Sequence, residues 1–159
     1  MNDSSNSMRA THYIRLGLMA VISFISMYIL MYAMVNSFSN IFNSVNQFYM
    51  AGLMTAPMII LELVLMRMMY TNKLWNGIIM ATSIIFGIVF FLFIRQQTTI
   101  GDTQFLRSMI PHHAGAILMC DKASLEDPEI KELCGGIMKG QQSEIDQMKA
   151  TLDRLESKN

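Results

Sequence analysis

Charge is scarce in this sequence: 12 Lys plus Arg and 12 Asp plus Glu among 159 residues, with no net excess of either sign. That balance excludes a basic nucleic-acid-binding surface and an acidic tail as organising features. No phosphate-binding glycine loop is present, and no carboxylate stands at Glu-x-x-His spacing from a histidine. Nucleotide chemistry and di-iron oxidation therefore lack their usual marks. Ser108, one turn before His112, is the only hint of a nucleophile and base, and no oxyanion motif accompanies it. The chain is not expected to be an enzyme. There are only two cysteines and three prolines, and no internal repeat.

What is plentiful is apolar surface, at 52% of residues, and methionine, at 17. The charges are also unevenly shared: residues 1–100 hold two acids and five bases, residues 101–159 ten acids and seven bases. Within the first part, residues 16–35 and 75–94 are uncharged runs of 20, and residues 48–66 form a third run whose single acidic group is Glu62. Each is long enough to cross a bilayer as a helix. The expectation is a membrane anchor over 1–100 with transmembrane helices at about 13–35, 48–69 and 75–94. A secretory signal peptide fits the first segment poorly, because its apolar run is too long and no small-x-small cleavage site follows.

Arg9 and Arg15 precede the first helix, Arg67 and Lys73 separate the second from the third, and residues 36–47 carry no charge. The positive-inside rule then places the N-terminus in the cytoplasm of a bacterial inner (plasma) membrane and the C-terminal part in the periplasm or outside the cell. Arg95, at the outer end of the third helix, runs against the rule. Glu62 shares a helix face with Met58, Met66 and Met69. A carboxyl group in hydrocarbon needs a partner, and Tyr28 or Tyr32 is a neutral candidate. Pro57 should kink the second helix and free the Leu53 carbonyl.

After Ile100 the pattern turns amphipathic. Asp102 is expected as the N-cap of a helix reaching about Ser124, and Pro128 suits the first turn of a second helix ending near Leu155. The fold class is thus all-α: three transmembrane helices, then an antiparallel hairpin over 101–159. Two helices cannot cover their own apolar faces, so the hairpin should pair with a second copy into a four-helix bundle or dock on a neighbour. Gly135, Gly136 and Gly140, inside the second helix, should permit close helix approach.

On a helical wheel Phe105, Met109, His113, Ala116 and Cys120 share an arc of about 80°, with His112 and Met119 at its edge. Cys134, Met138, Gln141, Ile145, Met148 and Leu152 share a similar arc on the second helix. A hairpin folded about Glu126 and Asp127 sets Cys120 beside Cys134, His113 beside Gln141, and Met109 beside Glu144 or Ile145. Pro111 should bend the first helix and free the Arg107 carbonyl, which leaves open which histidine faces inward.

Thioether, thiolate and imidazole side chains gathered on one seam suit a soft ion, copper(I) above all and silver(I) by analogy, with copper(II) reachable through the imidazoles. Zinc is served by two His and two Cys, although their spacing is not that of a zinc finger. The candidate metal residues are Met109, His112, His113, Met119, Cys120, Cys134, Met138 and Met148. Both cysteine fates stay open: a disulfide, or thiolates that add metal affinity. The competing function is a disulfide-stapled interaction module that assembles with a membrane partner and binds no metal.

The run Phe105, Leu106, Met109, Ile110, Pro111, His112, His113 and Ala116, followed by Gln141, Glu144, Ile145 and Met148, resembles the domain-of-unknown-function 305 (DUF305) family. The resemblance covers about residues 102–152, and its core is Met-x-x-His-His. It implies a ferritin-like helical fold and a periplasmic copper-binding protein of metallochaperone type. Met109, His112, His113 and Met148 are then implied as copper contacts, and Gln141 and Glu144 as further ligands or as partners of ligands. A membrane-anchored branch of that family with three N-terminal helices, carrying cysteines like Cys120 and Cys134, looks like this chain.

Overall fold

The computed structural model describes residues 2–157, with side chains from residue 10 onward; Arg9, used above to orient the chain, lies outside the described side chains. Five helices follow one another: α1 (Asn2–Leu30), α2 (Val45–Leu65), α3 (Lys73–Gln96), α4 (Asp102–Lys122) and α5 (Pro128–Glu156). Two short 3-10 turns, Met31–Met34 and Phe38–Asn40, stand between α1 and α2. The architecture is all-helical, with no strand among the described residues. Three stretches, Ala10–Met34, Val45–Leu65 and Lys73–Gln96, are long and apolar enough to cross a membrane.

The chain divides into two compact units, Met1–Leu30 with Phe48–Thr98, and Met31–Gln47 with Thr99–Asn159. In the first, α2 is the most covered helix: Tyr49, Ala51, Gly52, Thr55, Ala56 and Leu63 are buried. Gly52 is there because of close approach, since a Cβ at this position would overlap the Phe90 ring. Gly52→Ala should therefore destabilise the three-helix unit by about 1–3 kcal/mol, seen as a lower denaturation midpoint in detergent. An unchanged midpoint would mean the ring swings aside at no cost.

At the other end of this unit Leu16, Leu63 and Tyr70 form a small core. Tyr70 donates its hydroxyl to Glu62 Oε1 at 3.4 Å. Burial, and then the neighbouring Glu62 carboxylate, pushes the Tyr70 phenol above its ordinary value. The partner of Glu62 is thus the tyrosine in the loop eight residues on, whereas Tyr32 donates to the Phe42 carbonyl at 2.7 Å. Asn72 caps α3, its side chain accepting from the amides of Leu74 and Trp75, and so the helix starts at Lys73, ahead of the uncharged run.

The second unit holds the α4–α5 hairpin and, packed with it, the segment that links α1 to α2. Its core is Leu106, Ile110, Ala114, Ile145 and Leu152, with Val35, Phe42, Ile117, Met148 and Leu155 around it. Polar contacts pin the same segment to α4. Ser108 donates to the Gln104 carbonyl at 2.8 Å, which leaves its oxygen to accept from Ser44 at 2.6 Å. Gln104 Oε1 accepts from the Val45 amide at 3.1 Å. Ser108 therefore clasps the link to α4.

Gly101 is the N-cap of α4, and Asp102 is the first helical residue. There its charge faces the positive end of the helix dipole without making a cap hydrogen bond. Asp127 does cap α5, accepting from the amides of Glu129 at 2.8 Å and Ile130 at 3.1 Å, with Pro128 in the first turn. Lys122 closes α4, and its hydrogen bond to Asp121 pushes the ammonium above its ordinary value.

Candidate metal centre

Leu106, Ile110, His113, Ala114 and Ile117 recur at helical spacing on α4, and this stripe carries His113 into the interior, where it is 8% exposed. His112, one residue round the helix, points to solvent. The two rings stand edge to face with centroids 5.8 Å apart. His113 Nδ1 lies 2.9 Å from the Met109 carbonyl oxygen. A carbonyl only accepts, so Nδ1 carries the hydrogen and the ring orientation is fixed. Nε2 lies 2.7 Å from Glu144 Oε2 on α5. His113 is thus held as histidine ligands commonly are, one nitrogen tied to the backbone and the other presented to a neighbour. That neighbour is an exposed carboxylate, while the ring itself is enclosed.

Met109, Met138 and Met148 are half-buried along the same hairpin, Met148 packing against the core. Gln141 Oε1 is buried without a hydrogen-bond partner. Met119 is 54% exposed. Cys120 and Cys134 are joined in a disulfide, with Cα atoms 5.3 Å apart. Of the two fates left open by the sequence this is the staple, and in it neither sulfur is a thiolate. Two His and two Cys are therefore not assembled as a zinc set. No group of three or more His, Cys, Asp or Glu is gathered among the described residues.

Two wheel expectations shift. Phe105, expected on the seam, is 50% exposed, and Leu106, Ile110 and Ala114 are buried instead. The rotation follows from the second surface that α4 covers: a Cβ on Gly115 would lie 3.6 Å from the Met34 carbonyl oxygen, so α4 packs on the link as well as on α5. The register holds at the cysteines but reaches one turn further at His113, which meets Glu144 rather than Gln141. Helical side chains lean toward their own N-terminus; in an antiparallel pair this brings His113 down toward the level of Ile110 and Glu144 back to meet it. Gly135, Gly136 and Gly140 do not serve close approach, because a Cβ on any of them would meet nothing within 4 Å.

The sequence profile described as "Domain of unknown function (DUF305)" matches residues 95–158. A curated relative, "Uncharacterized protein L153" of Acanthamoeba polyphaga mimivirus, is 37% identical over 145 residues, which cover 89% of this chain and 93% of that protein. That alignment is longer than the profile match and extends into the apolar helices. No solved structure matches the chain.

Proposed function

We propose, for a chain that belongs to the DUF305 family, the function of a membrane-anchored binding protein for copper(I), with silver(I) as a substitute, that buffers the ion or hands it on. The observation that carries this reading is His113: its Nδ1 is tied to the Met109 carbonyl and its Nε2 faces the α4–α5 seam. Met109, Met138 and Met148 are half-buried on the same two helices, and Gln141 Oε1 is buried on α5 without a donor. Imidazole and thioether are the donors a soft monovalent ion prefers. Binding at Nε2 releases the proton held between Nε2 and Glu144, and the carboxylate stays beside the ion as a compensating charge. The copper is cargo, and no reaction is assigned.

The three apolar helices then act as the anchor. Charge placement supports a cytoplasmic N-terminus and an outward hairpin, in a bacterial inner membrane as the simplest setting. Composition of the second unit supports α2 and α3 crossing as a pair: it joins the link before α2 to the chain after α3, two segments that a pair of crossings leaves on one side. Phe105, Met119, Ile130 and Leu133, exposed on the hairpin, support pairing with a second copy.

The test is anaerobic titration of copper(I) into the full chain in detergent against a chromophoric competitor. Combining Met109→Leu, His112→Gln and His113→Gln should weaken uptake by the oxidised protein at least tenfold. Undiminished affinity in a folded triple variant would remove the reading. The disulfide and the His113–Glu144 contact also favour a second reading, a stapled interaction module without metal. It requires that copper(I) leave the thermal midpoint unchanged, whereas an ion bound only by the native state raises it.

A further inference from the structure

We infer that the disulfide end of the hairpin is a second soft-metal site, closed while Cys120 and Cys134 are joined and opened when an external dithiol reduces them. Its donors are the two freed sulfurs and the thioether of Met138. The choice of ion rests on the reading above; the site itself does not, since its two cysteine sulfurs have no part in that reading and Met138 is the one residue the two share. Seven residues separate His113 from Cys120, about 10 Å along a helix, so one ion cannot be shared between the two places.

Three observations carry it. First, the core lies entirely at the other end: every buried residue of α4 falls between Leu106 and Gly115, and those of α5 are Ile145 and Leu152. From residue 116 to residue 144 nothing is buried, so the sulfur link can open without breaking the core. Second, Met138 follows Cys134 by one helical turn on the same face, and Cys120, Cys134 and Met138 are all half-buried. Three sulfur donors from two helices are thereby within one small region, with Cα atoms of the cysteines 5.3 Å apart. Third, α5 is soft at this place. Gly135, Gly136 and Gly140 flank the two α5 donors although packing does not require any of them. Each weakens a helix relative to alanine, which lets Cys134 and Met138 adjust to an ion.

The chemistry balances without a change in the metal. A thiolate of the dithiol attacks one cysteine sulfur, the S–S bond breaks with the other cysteine leaving as its thiolate, and a mixed disulfide forms; the second thiol of the reductant then attacks the reductant's own sulfur in that mixed disulfide and displaces the first cysteine. Two electrons and two protons pass to Cys120 and Cys134, and the reductant leaves as its own disulfide. Copper(I) next replaces the two thiol protons, forming two Cu–S bonds, with the Met138 thioether as a third, neutral donor.

The full chain in detergent is titrated anaerobically with copper(I) as isolated, and again after reduction by dithiothreitol and its removal. Reduction should add one equivalent of copper(I), accompanied by near-ultraviolet thiolate-to-metal absorbance. Cys120→Ser and Cys134→Ser, singly or together, should abolish that added equivalent in chains whose helical circular dichroism is intact. Met138→Leu should weaken it at least tenfold, and Gly135→Ala with Gly136→Ala should weaken it while leaving both thiols in place. His112→Gln with His113→Gln should leave it unchanged, which separates failure of this site from failure of the first. An unchanged stoichiometry on reduction overturns the inference, as does an added equivalent that survives in the double serine variant or appears only on loss of helical signal.

Discussion

Truncating Ile145 to alanine should lower the unfolding free energy of the second unit by about 2–5 kcal/mol. Ile145 is fully buried, and the core it joins contains only Leu106, Ile110, Ala114 and Leu152 besides. With so few buried side chains the surroundings have little freedom to collapse into the space left behind. Since a domain's whole stability is about 5–15 kcal/mol, a single truncation removes a large share. Chemical denaturation followed by circular dichroism in detergent measures it. Leu133→Ala is the control: Leu133 is 61% exposed, so its removal should be nearly silent in the monomer. A loss at Ile145 below about 1 kcal/mol would show that the core is not where these five residues meet. A substantial loss at Leu133 would instead reveal a covered face, as pairing of hairpins requires.

Removing the disulfide should cost about 3 kcal/mol, because a closed loop of this size restricts the unfolded chain by that order. The two cysteines are 14 residues apart. Cys120→Ser with Cys134→Ser is compared with the parent chain in dithiothreitol, and the two midpoints should agree. Hydrogen exchange locates the effect: protection should fall between residues 116 and 138, where no buried residue backs up the link, and persist near Ile110 and Ile145. Uniform loss of protection across both helices would contradict a hairpin whose two ends are held by different means.

Local chemistry was the most readable part of this sequence. Asp127 and Pro128 announce the start of α5 through a cap and a missing amide hydrogen, and both act within three residues of themselves. The pairing of Cys120 with Cys134 follows from a short turn and antiparallel register, again a nearby relation. Non-local relations were harder. Nothing in the uncharged run 36–47 shows that Ser44 reaches Ser108, 64 residues away, or that Val35 and Phe42 join the hairpin core. Without that second surface the wheel turned Phe105 inward and left Leu106 aside. Tyr70 as the partner of Glu62 is not legible in the sequence, because the loop that holds Tyr70 against Glu62 has no pattern of its own. At the candidate site, the inward histidine could not be chosen by angles across Pro111; the Met109 carbonyl and Glu144 choose His113.

The second unit is assembled from chain segments made at different times. If the anchor crosses the lipid three times, Val35, Phe42 and Ser44 emerge from the ribosome and reach the far side early, yet the α4 and α5 residues they pack with, Leu106, Ile110, Ser108 and Ile145, are exported only after the last span is threaded. In that case closure of the second unit waits on translocation of α4 and α5. Excising residues 101–159 as a soluble fragment would leave that event without its first half, with the clasp at Ser108 unpartnered and one flank of α4 wetted.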